Sequence, residues 1–382
     1  MIGDSKESDY INSLRNGIMA YRYFPVLHKI NTNLKRIFNK YNVKKFIFNR
    51  GFHSDEFSEY ALYFYYFCMQ LQYELDSNNL TRVAFLSRGG YLLKKCFDEY
   101  MLFNMKSNVE TVYIKNSRKV NELAKNNEKD RNLLKKYLEQ EGFKTSIAMV
   151  DEGWNASSQI NIAEMFGIYT IGFYLGTLSY KKTDFLCQRK GILFDIDEND
   201  TKSRFYGVFR SNCTFYEQIC TSPEGSVIKY LLKDNEVVAL QKSVDVECKL
   251  YKKYVYKIQN KIIDDLISLC CWNVKINKYE LVKYNLKTQL LSNYNRTQIL
   301  NDFDKCYFDN LNDTNEKKFG NIKKLKINIF KLFFCPDEYL RYLCKIKNLF
   351  VKNKYTWLLY MILGKILYFY CRLIVSIKNK IR

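Results

Sequence analysis

The feature that most restricts this chain is a set of short apolar runs without polar alternation: Val83-Ala84-Phe85-Leu86, Thr111-Val112-Tyr113-Ile114, Ile147-Ala148-Met149-Val150 and Ile168 to Tyr174. A strand with one wet face alternates polar and apolar residues, whereas a strand covered on both faces does not. Between the runs, Tyr91 to Phe103, Asp130 to Gln140 and Ser157 to Phe166 carry helical periodicity. Asp130 near the start of the second stretch and Gly142 past its end sit where capping chemistry expects them. Strands that alternate with helices in this way predict an α/β fold with a parallel sheet.

The surrounding segments read differently. Residues from about 8 to 78 are expected to be helical, ending in the aromatic stretch Phe57 to Tyr73 behind the acidic start Ser54-Asp55-Glu56. Beyond Gly191, edge strands are expected near Ile192 to Ile196 and Phe205 to Phe209. From about Ser226 onward the pattern reads as helical, Lys-rich and Cys-containing. With only 3 Pro and 15 Gly in 382 residues, long regular elements are favoured over a turn-rich β-sandwich. The expected spans are a helical N-terminal region (1–78), the α/β domain (79–235), a helical C-terminal region (236–350) and an amphipathic membrane-associating helix (351–382).

That last helix rests on the stretch Tyr355 to Ile377, apolar except for Lys365 and Arg372. On a helical wheel Lys354, Lys365 and Arg372 gather near one face, with Leu363, Leu367, Tyr370 and Ile374 opposite. Two charges within one span are costly at a bilayer centre, so the pattern suits a helix lying on an anionic membrane surface better than one crossing it. A core-packing amphipathic helix has the same period.

Charge and thiols narrow the function classes. A formal net charge of +21 points to acidic partners, phosphorylated substrates or anionic lipid, although a Lys-rich solvated surface without a partner gives the same charge. Nucleic acid is not expected, because the basic residues are spread along the chain and no recognised nucleic-acid-binding signature occurs. Twelve cysteines at irregular spacings, without a CxxC pair, and no apolar leader at Met1 to Asp9 point to reduced thiols in the cytoplasm. With His28 and His53 the only histidines, a His-based zinc site or a Ser-His-Asp triad is not expected.

In open parallel sheets ligands bind at the carboxyl ends of strands, where loops run into helix N-termini that attract anions. Two loops fit that place. In Ser87-Arg88-Gly89-Gly90 the glycines let the backbone approach a phosphate and Arg88 adds a charge-assisted contact, although a plain tight turn has the same composition. In Asp151-Glu152-Gly153-Trp154-Asn155-Ala156-Ser157-Ser158-Gln159, adjacent acids suit a ribose diol, directly or through Mg²⁺, and the hydroxyls with backbone N–H groups suit a terminal phosphate. The plainer reading makes Asp151 and Glu152 solvated strand-end charges and Asn155 or Ser157 an ordinary N-cap. Lys115, Ser117 and Arg118, after the second run, either clamp a diphosphate or form a basic turn. Glu217 and Glu224 are candidates for the acceptor side, Glu217 as a base, although a structural role is the plainer reading of both.

Taken together, Val83 to Gly90 followed by Ala148 to Gln159 resembles the type I phosphoribosyltransferase fold. The resemblance implies a diphosphate loop after the first strand and an acidic-pair loop that holds the ribose and 5-phosphate of phosphoribosyl pyrophosphate. More narrowly, Phe85 to Leu93, Val150 to Trp154 with Ser158-Gln159, and Thr221-Ser222-Pro223-Glu224-Gly225-Ser226 are similar to a bacterial polysaccharide-locus family related to that fold, often fused to or labelled as haloacid-dehalogenase-like hydrolases. The resemblance covers about Gly51 to Tyr230 and implies Mg²⁺-dependent transfer of a phosphoribofuranosyl unit to a lipid-linked or oligosaccharide acceptor. It also implies a location on the inner face of the cell membrane and a separate phosphatase acting afterwards. Two departures stand out: family members commonly carry Asp where this chain has Gly89, and the usual acidic loop has Thr-Gly before a final Thr where this chain has Ala156, Ser157 and Gln159.

Two other classes remain open at the level of sequence. Leu193-Phe194-Asp195-Ile196-Asp197 looks like the nucleophile strand of haloacid-dehalogenase phosphatases, but it follows the expected sheet and lacks the turn and helix that motif needs. The other class is a non-catalytic ligand-binding module of a glycan assembly complex.

Overall fold

A computed structural model describes residues 58–103, 109–178, 186–195, 209–210, 213–243, 248–249, 251–291 and 349–380, with scattered positions between 294 and 347. The apolar runs become β1 (Arg82–Leu86), β2 (Glu110–Ile114), β3 (Ser146–Asp151) and β4 (Tyr169–Gly176), joined by β5 (Cys187–Phe194). They form one five-stranded sheet in the order β2-β1-β3-β4-β5, with every neighbouring pair parallel.

Both faces of the sheet are covered, which explains the missing alternation. Val83 and Phe85 of β1 with Ala148 and Val150 of β3 join one apolar cluster, together with α1 (Ser58–Ser77) and α2 (Gly90–Phe103). Ala84 and Leu86 with Ile147 and Met149 join the other, packed against α3 (Arg118–Asn126), α4 (Glu128–Gln140) and α5 (Ser157–Phe166). Successive residues thus serve opposite cores, as the pleat requires. α6 (Cys213–Cys220), α7 (Tyr256–Cys271) and α8 (Lys278–Leu291) extend the first cluster, and α9 (Lys354–Lys380) packs on α8.

Several expectations need adjustment. The segment after Ser226 is not helical at its start: β6 (Val227–Lys233) and β7 (Glu236–Gln241) form an antiparallel hairpin. Its tight turn is Asp234-Asn235, both at positive φ (49° and 67°), a conformation these two residues accept more readily than most. The hairpin lies on α3 and α4 through Val227, Tyr230 and Val237. The side-chain amide of Gln140 closes it by accepting from the Val237 N–H at 2.7 Å and donating to the Val237 carbonyl at 3.3 Å.

β5 begins at Cys187, upstream of the expected edge strand. Phe209 is helical, and 205–208 lie outside the described residues. The cap of α4 is Asn127, whose side chain accepts from the N–H groups of Lys129 and Asp130, so Asp130 sits inside the first turn. Of the expected N-terminal helical region, residues up to 57 lie outside the described residues. All nine described cysteines are free thiols, and seven of them are buried.

Candidate functional site at the β1 and β3 strand ends

The sheet changes direction between β1 and β3: β2 lies outside β1, while β4 and β5 extend beyond β3. Loops from two such neighbouring strands diverge to opposite faces and leave a crevice at their carboxyl ends. The two loops singled out in the sequence leave β1 and β3 at that point.

The β1 loop is tightly fixed. The Ser87 hydroxyl donates to the Asn116 carbonyl at 2.7 Å and accepts from the Asn116 N–H at 2.9 Å, so both of its functions tie β1 to the end of β2. Gly90 starts α2, and a Cβ there would lie 3.0 Å from the Phe85 carbonyl carbon and 3.2 Å from the Val150 carbonyl oxygen. Gly90 therefore allows close helix–strand packing. Gly89 differs, because a Cβ there would run into the carboxylate of Glu152, with Asp151 Oδ1 2.6 Å away. Arg88 is half-buried, and its charge acts on the buried Tyr113 hydroxyl, which burial pushes upward in pKa.

The β3 loop concentrates charge. Asp151 Oδ1 accepts from the Glu152 N–H at 2.9 Å. Desolvation, followed by the neighbouring Glu152 charge, raises the Asp151 pKa well above the usual carboxylate range, while Arg118 pulls it down. Glu152 Oε2 is buried without a hydrogen-bond partner. Glu217, on α6, receives the Trp154 indole N–H at 2.5 Å. Its pKa is pushed up to about 7 by burial and by Glu152, against the opposing pull of Trp154 and Arg118. The site thus gathers Asp151, Glu152, Glu217 and Arg118 from three separate stretches of chain around Gly89.

After the acids the loop turns sharply. Gly153 has φ 135°, and the peptide bonds Ser87–Arg88 and Gly153–Trp154 are cis. Trp154 is buried, stacked on Phe194 with ring centroids 5.5 Å apart, so it anchors the loop to β5 and offers no open surface to a ligand. Asn155 is exposed. The N-cap of α5 is Ala156 in the left-handed region (φ 54°, ψ 28°), with no side-chain cap, so neither Asn155 nor Ser157 acts as the ordinary cap considered above. The first N–H groups of this ten-residue helix therefore receive no acceptor from the N-cap side chain, and they lie beside half-buried Ser157 and Ser158.

Some residues grouped by sequence part company. Gln159 is fully buried and points into the sheet: its amide donates to the Thr170 and Gln188 carbonyls and accepts from the Tyr174 hydroxyl. It holds α5 to β4 and β5. Lys115 Nζ lies 3.7 Å from Glu224 and 3.4 Å from Gln241, beneath the hairpin. Asp195, at the end of β5, accepts from the Thr177 hydroxyl at 2.5 Å and the Gly191 N–H at 2.7 Å, which ties the strand ends together. Asp197 lies outside the described residues.

One further residue is not legible in the sequence. Asn121 on α3 is fully buried and donates to the Ser158 hydroxyl at 3.3 Å, which fixes one of the two serines at the α5 N-terminus. Its only signal was a polar residue on the apolar side of a charged helix. No protein-family model matches the chain, and no curated protein matches it in sequence.

Proposed function

We propose that the chain is a glycosyltransferase with a phosphoribosyltransferase-like α/β domain, moving a 5-phosphoribofuranosyl group from phosphoribosyl pyrophosphate to a sugar hydroxyl of a bacterial surface glycan. The observation that carries this reading is the meeting of the two loops at the direction change of the sheet, with the Glu152 carboxylate lying on Gly89 and an uncapped helix N-terminus a few residues on. The donor 5-phosphate would sit at Asn155 to Ser158, its diol at Asp151 and Glu152, and its diphosphate near Arg88 and Gly89. Where relatives of the resembled family carry Asp at position 89, this chain has Glu152 reaching into the same space, so an acid is still supplied there from the other loop.

The acid pair suits Mg²⁺ carried in by the donor, since Glu152 Oε2 is buried without a partner and Asp151 resists ionisation beside it. Among the described residues no group of three or more His, Cys, Asp or Glu side chains is placed to hold a metal, so Asp151 and Glu152 would share the ion with substrate oxygens. When bound, the ion neutralises charge on the departing diphosphate. This chain's own residues then do the remaining work: Asp151 and Glu152 orient the ring, and Arg88 with the loop N–H groups stabilises the leaving group. Glu217, with a pKa near neutrality, accepts the acceptor's hydroxyl proton. Attack opposite the leaving group inverts the α donor to a β-linked ribofuranoside, and nothing in this arrangement removes the 5-phosphate, which is left to a separate phosphatase.

The phosphohydrolase reading draws less support, because both carboxylate oxygens of Asp195 are engaged in joining strand ends. A non-catalytic binding module would keep the same donor contacts without turnover. Incubation with Mg²⁺, phosphoribosyl pyrophosphate and a lipid-linked acceptor separates the three. Release of pyrophosphate together with addition of a phosphopentose supports transfer, and Asp151→Asn should suppress both. Retained but unconsumed donor would favour the binding module; addition of an unphosphorylated pentose, or turnover of a nucleotide sugar, would overturn the assignment.

A further inference from the structure

α9 packs one side against α8, and the contact is close: a Cβ on Gly364 would lie 2.8 Å from the Leu290 carbonyl oxygen. Trp357, Tyr360, Cys371 and Ile374 are buried along that side. The opposite side carries Leu358, Leu359, Ile362, Ile366, Phe369 and Leu373, each between 53% and 65% exposed. These positions recur at three- and four-residue steps, so they form one continuous apolar stripe. The sequence alone pointed to Leu363, Leu367, Tyr370 and Ile374 as the free face; Ile374 is buried, and Leu367 packs on the main core.

A stripe of this length on a soluble surface needs an occupant, and the charges beside it say which. Lys354, Lys365 and Arg372 are exposed and fall on one flank of the helix, and residues 339–382 contain no Asp or Glu. A row of cations along an apolar stripe matches an anionic headgroup layer over acyl chains.

We infer that the Leu358 to Leu373 face of α9 docks flat on an anionic bilayer surface, with Lys354, Lys365 and Arg372 at headgroup level. The segment Lys354–Ile374 is long and apolar enough to span a membrane. Its seam with α8 at Gly364 nevertheless holds one whole side against protein, and this favours lying on the surface.

The test uses the full chain and sealed vesicles, either phosphatidylcholine alone or with phosphatidylglycerol, and does not depend on the proposed reaction. Binding should require the anionic lipid and fall with salt. Ile366→Asp or Phe369→Asp should weaken it at least 10-fold while leaving the melting temperature unchanged, because both side chains are already exposed. Lys365→Ala with Arg372→Ala should weaken it on the order of 10-fold, whereas Lys129→Glu on α4, a similar change in net charge elsewhere, should have little effect. A C-terminal tag on bound protein should remain open to protease added outside.

Binding that ignores the two Asp variants, or that is equal on neutral vesicles, would overturn the proposal. A protected tag would show a spanning helix instead. A dimer in solution that Ile366→Asp converts to monomer would show that a second copy covers the stripe.

Discussion

The two loops at the switch point sit side by side and are built on opposite principles. The β1 loop is set by packing: Gly90 lies against the Phe85 backbone and the Val150 carbonyl, and both functions of the Ser87 hydroxyl are taken by Asn116. The β3 loop is set by charge that its surroundings do not relieve: Asp151 is held reluctant to ionise by burial and by Glu152, and Glu152 Oε2 has no partner. A substitution at Ser87 or Gly90 should therefore act on stability, and one among the second loop's acids on function. Packing that is already complete has little to gain from a ligand, whereas unrelieved charge is stabilised when a cation or a hydroxyl-bearing substrate arrives.

The largest effect should come from Asp151→Asn. Loss of the carboxylate that orients the donor ring should lower the transfer rate by about 100-fold or more, about 3 kcal/mol in the barrier. The same change should leave the melting temperature unchanged or raise it, since Asn keeps an oxygen to accept the Glu152 N–H and removes a charge that the site disfavours. A fall in both activity and stability would mean that the acid is structural and would break the contrast between the loops.

Next in size is the pair of glycines, which tests the contrast within a single loop. Gly90→Val pushes a branched side chain into the backbone of β1 and should cost about 2 to 3 kcal/mol of stability, read from chemical denaturation. Gly89→Ala meets the end of a flexible carboxylate side chain, so the fold should tolerate it while Glu152 is displaced and donor affinity falls. If the two variants behave alike, the loop works as a single packed unit. Smaller again, Arg88→Ala should weaken donor binding about 10-fold by removing a charge-assisted contact, measured by titration calorimetry with phosphoribosyl pyrophosphate and Mg²⁺.

Legibility in the sequence follows the same division. The strands of the core were readable because burial on both faces leaves a local signature of consecutive apolar residues, as in Val83 to Leu86 and Ile147 to Val150. The loops were readable as residue types, since acids, glycines and serines at strand ends are also local. What each residue touches was not. Gln159 looked like part of the serine-rich turn, but its partners Thr170, Tyr174 and Gln188 come from two later strands. Trp154 and Glu217 meet across 63 positions, and nothing near either one announces the contact. The hairpin after Ser226 is hidden in the sequence because its turn, Asp234-Asn235, sits inside a Lys-rich pattern that reads as helical. Similarly, Ala156 carries no helix-start chemistry, and its left-handed conformation is imposed by the loop around it.

The smallest effect, and the most discriminating, concerns Glu217. Its carboxyl is raised from an ordinary 4.5 to about 7, so between those values the folded protein holds a proton that the unfolded chain has lost. Stability from this group is therefore greatest at low pH and falls as pH rises through that window, with the full loss reached above about 7. Glu217→Gln cannot ionise, so it should match the parent near pH 4.5 and exceed it above pH 7 by on the order of 1 kcal/mol, the side chain being only partly shielded from solvent. Gln can still accept the Trp154 N–H through its amide oxygen, so the loop anchor survives. Activity should move the other way. If Glu217 takes the acceptor proton, the parent's rate should rise with pH through about 7, and the variant should be slower by about 10-fold with no such rise. A variant that is more stable at pH 8 yet keeps the parent's pH–rate profile would leave Glu217 as the anchor of Trp154 and move the search for a base to another residue.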